Sequence, residues 1–226
     1  MNALFIGNSF TARNNLPGLI AQLAVARGRG LDHRLITAGG ASLRNHWNAG
    51  SALKAIENGR YDCVVLQEQS TLPIKSAKRM HENVRLFDEA ITRAGAKTIL
   101  YMTWARQHAP ESQQAITDAY TTIGRELSAM VVPVGLAWQS FLRNHDRPAL
   151  HDRDRSHPTL AGSYLAACVF LVALFNESPV GIEGAIAGSN NRELVLLQET
   201  AWQACRSTSP RIRARPPDDS NDPDRS

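Results

Sequence analysis

Short runs of aliphatic and β-branched residues alternate along the chain with longer segments whose apolar positions recur at helical spacing. Strands are expected over residues 3–6, 33–37, 63–66, 98–102 and 130–134, each a brief apolar run bounded by turn residues. Helices are expected over 17–27, 52–57, 77–94, 112–127, 136–144, 160–174 and 192–205. Pro17 suits a first helical turn, Gly28 suits a stop, and Asn58-Gly59 closes the second helix.

A strand-then-helix order repeated in this way predicts an α/β fold, a three-layer α/β/α sandwich around a five-stranded parallel sheet with flavodoxin-like winding. In such a sheet the loops that follow the strands open on one edge, where reactive groups gather. The loops that matter are therefore 7–15, 38–47, 67–73 and 103–110, joined by 145–158 ahead of the helix at 160.

Composition narrows the picture without changing it. A chain of 226 residues, 43% hydrophobic and 20% charged, can bury a full core, and one domain over 1–206 is expected. Residues 207–226 are rich in proline and charge and nearly devoid of apolar groups, so a disordered tail is expected there. The net charge of +4 comes from Arg and Lys interleaved with acids, with no basic stripe, which argues against a nucleic-acid partner. Cys63, Cys168 and Cys205 show no CxxC spacing and leave one thiol over under any single disulfide, so buried thiols in a reducing compartment are expected. The first strand starts almost at the first residue, so no leader is expected, and the apolar stretch 165–175 is too short to span a bilayer. A cytoplasmic protein without a membrane partner is the expectation.

The candidate chemistry begins at Gly7-Asn8-Ser9-Phe10, directly after the first strand, where a serine hydroxyl sits at the open edge of the sheet. Taken alone, Asn-Ser after a strand is equally ordinary turn or cap chemistry. The second half is Asp154-Arg155-Ser156-His157-Pro158. A histidine three residues after an aspartate in a turn can set Nδ1–H against that carboxylate and leave Nε2 to take a serine proton. An isolated DxxH is more often a helix start with a solvated acid; the two halves together, in the right loops, shift the balance.

At this point the chain resembles the SGNH/GDSL hydrolase superfamily, on GNSF at the first strand, the Ala38-Gly39-Gly40-Ala41 turn after the second, VVLQEQS at the third, and the late DRSH. The resemblance covers nearly the whole chain ahead of the tail. It implies a serine esterase with Ser9 as nucleophile, His157 as general base and then acid, and Asp154 as the orienting carboxylate. It also implies an oxyanion hole from the Ser9 N–H, a glycine N–H and a side-chain amide. Gly40, with Gly39 beside it, is the expected glycine. Asn8 stands where the superfamily usually carries aspartate. Gln69 stands where it carries an asparagine, with Gln67 the alternative amide.

Asn8, His46, Trp47 and Trp104 are candidate substrate contacts lining the crevice, although packing at the loop bases accounts for such residues equally well. Glu68 is left open between a second acid, a solvated loop residue and a partner for Arg13, Arg44 or Arg106. No HxH, HExxH, GxGxxG or P-loop spacing is present, so neither a metal nor an organic cofactor is expected. The expected activity is hydrolysis of a carboxylic ester, with an O-acetylated carbohydrate favoured by the resemblance and other small-molecule esters open. Acyl transfer by the same serine remains an alternative. So does a catalytically silent binding protein, suggested by the missing asparagine.

Overall fold

The computed structural model describes residues 1–183 and 190–207. Five strands, β1 (Asn2–Gly7), β2 (Asp32–Thr37), β3 (Cys63–Leu66), β4 (Lys97–Tyr101) and β5 (Met130–Val132), form one sheet in the order β2-β1-β3-β4-β5. Every pairing is parallel, with Leu4 opposite both Arg34 and Val64 and Leu66 opposite Leu100. Ten α-helices among the described residues surround it: α1 (Ser9–Ala12), α2 (Leu16–Val25), α3 (Leu43–Ala49), α4 (Ser51–Asn58), α5 (Leu72–Lys75), α6 (Ala77–Arg93), α7 (Gln113–Glu126), α8 (Val134–Asn144), α9 (Leu160–Phe175) and α10 (Asn191–Ser207).

The central strands read as unbroken apolar runs because both of their faces are covered. Ala3, Phe5, Cys63, Val65, Ile99 and Tyr101 face one core, shared with α2, α8, α9 and α10. Leu4, Ile6, Val64, Leu66 and Leu100 face the other, shared with α4, α6 and α7. Helix α9 is apolar all round, from Tyr164 to Val172, because α2, α8 and α10 enclose it. The edge strand β2 carries Asp32, His33 and Arg34 exposed, which blunts further pairing.

The expected sandwich and all five expected strands are present, with ends shifted by a residue or two. The pattern missed α1, α3 and α5, which are too short for periodicity and depend on local bonds. Helix α3 starts on a reciprocal capping box between Ser42 and Asn45. Of the expected tail, Ser207 closes α10, and 208–226 lie outside the described residues. Among the described residues no helix is long and apolar enough to cross a membrane.

The strand order reverses direction between β1 and β3. At that switch the loops leaving the carboxyl ends diverge to opposite faces and open a crevice between them. Gly7-Asn8-Ser9 leaves β1 and Gln67-Glu68-Gln69 leaves β3, so the two loops singled out by sequence flank the crevice.

Candidate active site

Ser9 is the first residue of α1, and its Oγ lies 2.7 Å from His157 Nε2. His157 Nδ1 donates to Asp154 Oδ2, which fixes the tautomer and leaves Nε2 to accept from the serine hydroxyl. The other Asp154 oxygen accepts the backbone N–H groups of Ser156 at 3.0 Å and His157 at 2.9 Å. The hydrogen bond from His157 and these two N–H groups hold the Asp154 carboxyl well below the usual carboxylate range. The turn is closed by Arg155 in the left-handed region (φ 60°) and by an antiparallel bridge between His151 and Pro158.

Several contacts that the sequence pattern did not reveal hold this turn against α1. Asn14, itself left-handed at φ 55°, donates from Nδ2 to Ser163 Oγ at 2.9 Å and to the Thr159 carbonyl at 3.1 Å. Arg13 pairs with Asp152 at 2.6 Å. The Phe10 ring lies 5.3 Å from the His157 ring and stacks on Trp104 at 4.9 Å. The Asn14-Asn15 pair was the available signal, since asparagine tolerates left-handed backbone that other side chains avoid.

The three loops of the crevice are tied to one another by hydrogen-bonded side chains. Asn8 is 2% exposed: its Oδ1 caps α1 through Phe10 N–H at 3.0 Å, and its Nδ2 donates to the Ala41 carbonyl at 3.0 Å. Gln67 is fully buried; its Oε1 accepts Asn8 N–H at 2.8 Å and Thr11 Oγ1 at 2.9 Å, and its Nε2 donates to the Glu68 carbonyl. A methyl group at Gly7 would meet Gln67 Oε1 and Thr11 Oγ1 at 2.6 Å, so glycine is required there for the loops to close.

Gln67, the alternative amide, is buried and spends one Nε2 hydrogen on the Glu68 carbonyl. Gln69 differs: Thr71 takes up its Oε1 through N–H and Oγ1, both at 2.9 Å, and Nε2 has no protein acceptor among the described residues. Gly40 stands at φ 66° in the Ala38–Ala41 turn, whose Ala41 N–H returns to the Ala38 carbonyl at 3.1 Å. Neither the Gly40 nor the Ser9 N–H has a protein acceptor among the described residues.

Asn8, His46 and Trp104, expected at the crevice wall, are instead committed inside the protein, and Trp47 packs into a core. Asn8 serves the loops as described. Buried His46 places Nε2 2.7 Å from the Gly7 carbonyl. Trp47 sets its edge against Phe87 in the core beneath α6. Trp104, 2% exposed, stacks on Trp138 at 3.8 Å and donates to the Ser156 carbonyl at 3.0 Å, so it supports the Asp154–His157 turn. Beyond it lies a cleft of about 560 Å³ lined by Arg106, Gln139, Arg143, His145 and Asp146, which neither Ser9 nor His157 borders. His151 is turned to the Ala105 carbonyl at 3.0 Å. Burial pushes the Cys63 thiol up to about 12, which keeps it an inert apolar group.

No family model and no curated protein matches the chain by sequence. Among solved structures it is similar to a Slackia heliotrinireducens protein provisionally described as an SGNH hydrolase, with 28% identity over 77% of this chain and 98% of that one and a TM-score of 0.67. A DUF4886 family protein from Bacteroides uniformis superposes with a TM-score of 0.77 at 21% identity, over 92% and 95% of the two chains. An acetylxylan esterase from Geobacillus stearothermophilus gives 0.60 at 17% identity, over 83% and 97%. The class these likenesses define is the parallel α/β/α sandwich of the SGNH fold. In fold the chain is similar to the SGNH/GDSL hydrolases.

Proposed function

We infer that the protein is a serine esterase that cleaves a carboxylic ester through an acyl-enzyme on Ser9. The observation that carries the reading is the continuous relay from Ser9 Oγ through His157 to Asp154, at the edge of the sheet where three loops converge. Ser9 Oγ attacks the ester carbonyl carbon while its proton passes to His157 Nε2, and Asp154 stabilises the imidazolium. The tetrahedral oxyanion takes hydrogen bonds from Ser9 N–H, Gly40 N–H and Gln69 Nε2. His157 then protonates the departing alcohol oxygen, and water repeats the sequence to release the acid and regenerate Ser9.

An O-acetyl group on a carbohydrate is the substrate we favour. A structural neighbour named as an acetylxylan esterase supports it, at the level of shared fold.

The test compares wild type with Ser9→Ala on p-nitrophenyl acetate and with a fluorophosphonate probe. Wild type turns over and labels, and Ser9→Ala does neither; equal behaviour of the two proteins would discard Ser9. Acetate release from acetylated xylo-oligosaccharides, set against p-nitrophenyl octanoate, tests the substrate. Faster octanoate cleavage would overturn the acetyl assignment.

A further inference from the structure

Glu68 is 1% exposed, carries no part of the relay, and touches two loops at once. Its Oε1 accepts the backbone N–H groups of Leu43 at 3.0 Å and Gln69 at 2.6 Å, and its Oε2 accepts Asn83 Nδ2 at 2.9 Å. Asn83 Oδ1 in turn accepts Arg44 Nε at 3.0 Å, which orients the amide so that its NH2 faces the carboxylate. All three partners of the Glu68 carboxylate, two backbone N–H groups and one side-chain amide, are donors, a set that suits an acceptor-only carboxylate and would leave an acid O–H facing a donor. Arg44 supplies the opposing charge one amide away.

Leu43 opens α3, three residues after Gly40, and Gln69 is the residue that offers the free amide. One carboxylate oxygen thus bridges the loop bearing the glycine donor and the loop bearing the side-chain donor. Oxyanion donors must hold their places to within about 0.5 Å, and bonds to a charged acceptor are shorter and stronger than neutral ones.

We propose that Glu68 is a positioning residue of the oxyanion hole, its carboxylate fixing the Gly40 loop against the Gln69 loop; this rests on the Ser9 esterase reading. The buried charge is tolerated because each oxygen is occupied and Arg44 lies behind Asn83. It acts on the transition state through the two loops and touches no reacting atom. Its loss therefore falls on kcat and leaves ground-state binding intact.

The experiment measures kcat, KM and the course of fluorophosphonate labelling for wild type, Ser9→Ala, Glu68→Gln and the double variant Glu68→Gln with Asn83→Asp. In Glu68→Gln, the new NH2 meets the NH2 of Asn83. Its kcat falls about ten- to a hundredfold with KM within about twofold, and labelling slows but reaches the wild-type endpoint. In the double variant the new amide oxygen serves Leu43 and Gln69, while its NH2 donates to a carboxylate that still accepts Arg44. Every bond again has a donor and an acceptor, and kcat returns to within about threefold of wild type.

Three results would overturn the proposal: wild-type kcat in Glu68→Gln, a reduced labelling endpoint at an unchanged rate constant, or a folded double variant that stays slow. Should Glu68→Gln not fold, Asn83→Ala removes only the brace on the far oxygen; a several-fold lower kcat supports the proposal and an unchanged one refutes it. If Ser9→Ala labels like wild type, the Ser9 reading fails and this one falls with it. If Ser9→Ala is silent and Glu68→Gln is fast, Glu68 alone is wrong.

Discussion

Gln67 Oε1 accepts the backbone N–H of Asn8 at 2.8 Å, one residue ahead of Ser9. That bond is one side of a triangle. Asn8 Nδ2 on the Ala41 carbonyl joins the first loop to the second, and Glu68 on Leu43 N–H joins the second to the third. The polar side chains next to Ser9 and Gln69 in sequence are spent on holding the three loops together. The Gln69 amide hydrogens and the N–H groups of Ser9 and Gly40 have no protein acceptor among the described residues.

Gln67→Ala and Gln69→Ala should therefore fail in different ways. The first orphans Asn8 N–H and Thr11 Oγ1 in a dry interior and should cost about 2–4 kcal/mol of stability, seen as a lower urea midpoint. The second removes a half-buried side chain and should lower kcat about a hundredfold to a thousandfold, with stability changed by less than about 1 kcal/mol. A wild-type urea midpoint for Gln67→Ala, or wild-type kcat for Gln69→Ala, contradicts the division of labour.

Gly40→Ala tests the second loop. At φ 66° a Cβ costs about 1–2 kcal/mol even with nothing within 4 Å of it, so the strain is in the backbone and not in a collision. Relief comes by rotating the adjoining peptide, which swings the Gly40 N–H. The melting temperature should fall about 2–6 °C and kcat should fall with it, whereas Gly39→Ala, free of a positive φ, should change neither. Equal effects at the two glycines would reassign the donor.

The sheet and its loops were legible because burial on both faces writes itself as plain apolar runs, as in Ala3 to Ile6 and Cys63 to Leu66. Ser9 was legible as a residue of the loop that leaves the first strand, whereas Asp154 and His157, ahead of a helix, were singled out by their DxxH spacing. The wall was not legible. Asn8, His46 and Trp104 carry the residue types of a binding surface, but in the folded chain their polar atoms turn inward onto Ala41, Gly7 and Ser156. Gln67 and Gln69 differ by two positions and nothing in composition; their roles diverge because β3 ends at Leu66 and puts the first glutamine under β1. Bonds between residues more than 50 apart, such as Gln67 with Asn8, leave no local trace in a single sequence.

Acid should erase the contribution of Asp154. Its carboxyl is held below the ordinary range by His157 and two N–H groups, so the stability it supplies is full above about pH 4 and fades as pH falls through the depressed folded value. The stability gap between wild type and Asp154→Asn, measured by urea titration, should be present at pH 7 and should narrow steadily below about pH 4. Burial pushes the Glu68 carboxyl up and gives the opposite slope in both proteins, so the gap between them, not either curve alone, carries the test. A gap constant from neutral pH to pH 2 would mean that the Asp154 side chain contributes packing and no charge.

Asn8→Asp restores the residue the superfamily usually carries at this place, and here it should be harmful in a way that grows with pH. One carboxylate oxygen can still cap α1 through Phe10 N–H. The other replaces Nδ2 and faces the Ala41 carbonyl, an acceptor, in a site 2% exposed. Two oxygens in contact without a hydrogen between them favour the protonated acid, whose O–H can donate to Ala41 where the amide did. The folded value of the new carboxyl is thereby raised. Its full stability is present below the unfolded value near pH 4 and is lost as pH rises through the folded one. Relative to wild type the variant should lose about 1–3 kcal/mol at pH 8 and much less at pH 4. The activity loss should follow the same direction, because the Ala41 carbonyl belongs to the turn that presents Gly40. A variant equally stable relative to wild type at pH 4 and pH 8 would show that Asn8 Nδ2 does not tie the first loop to the second.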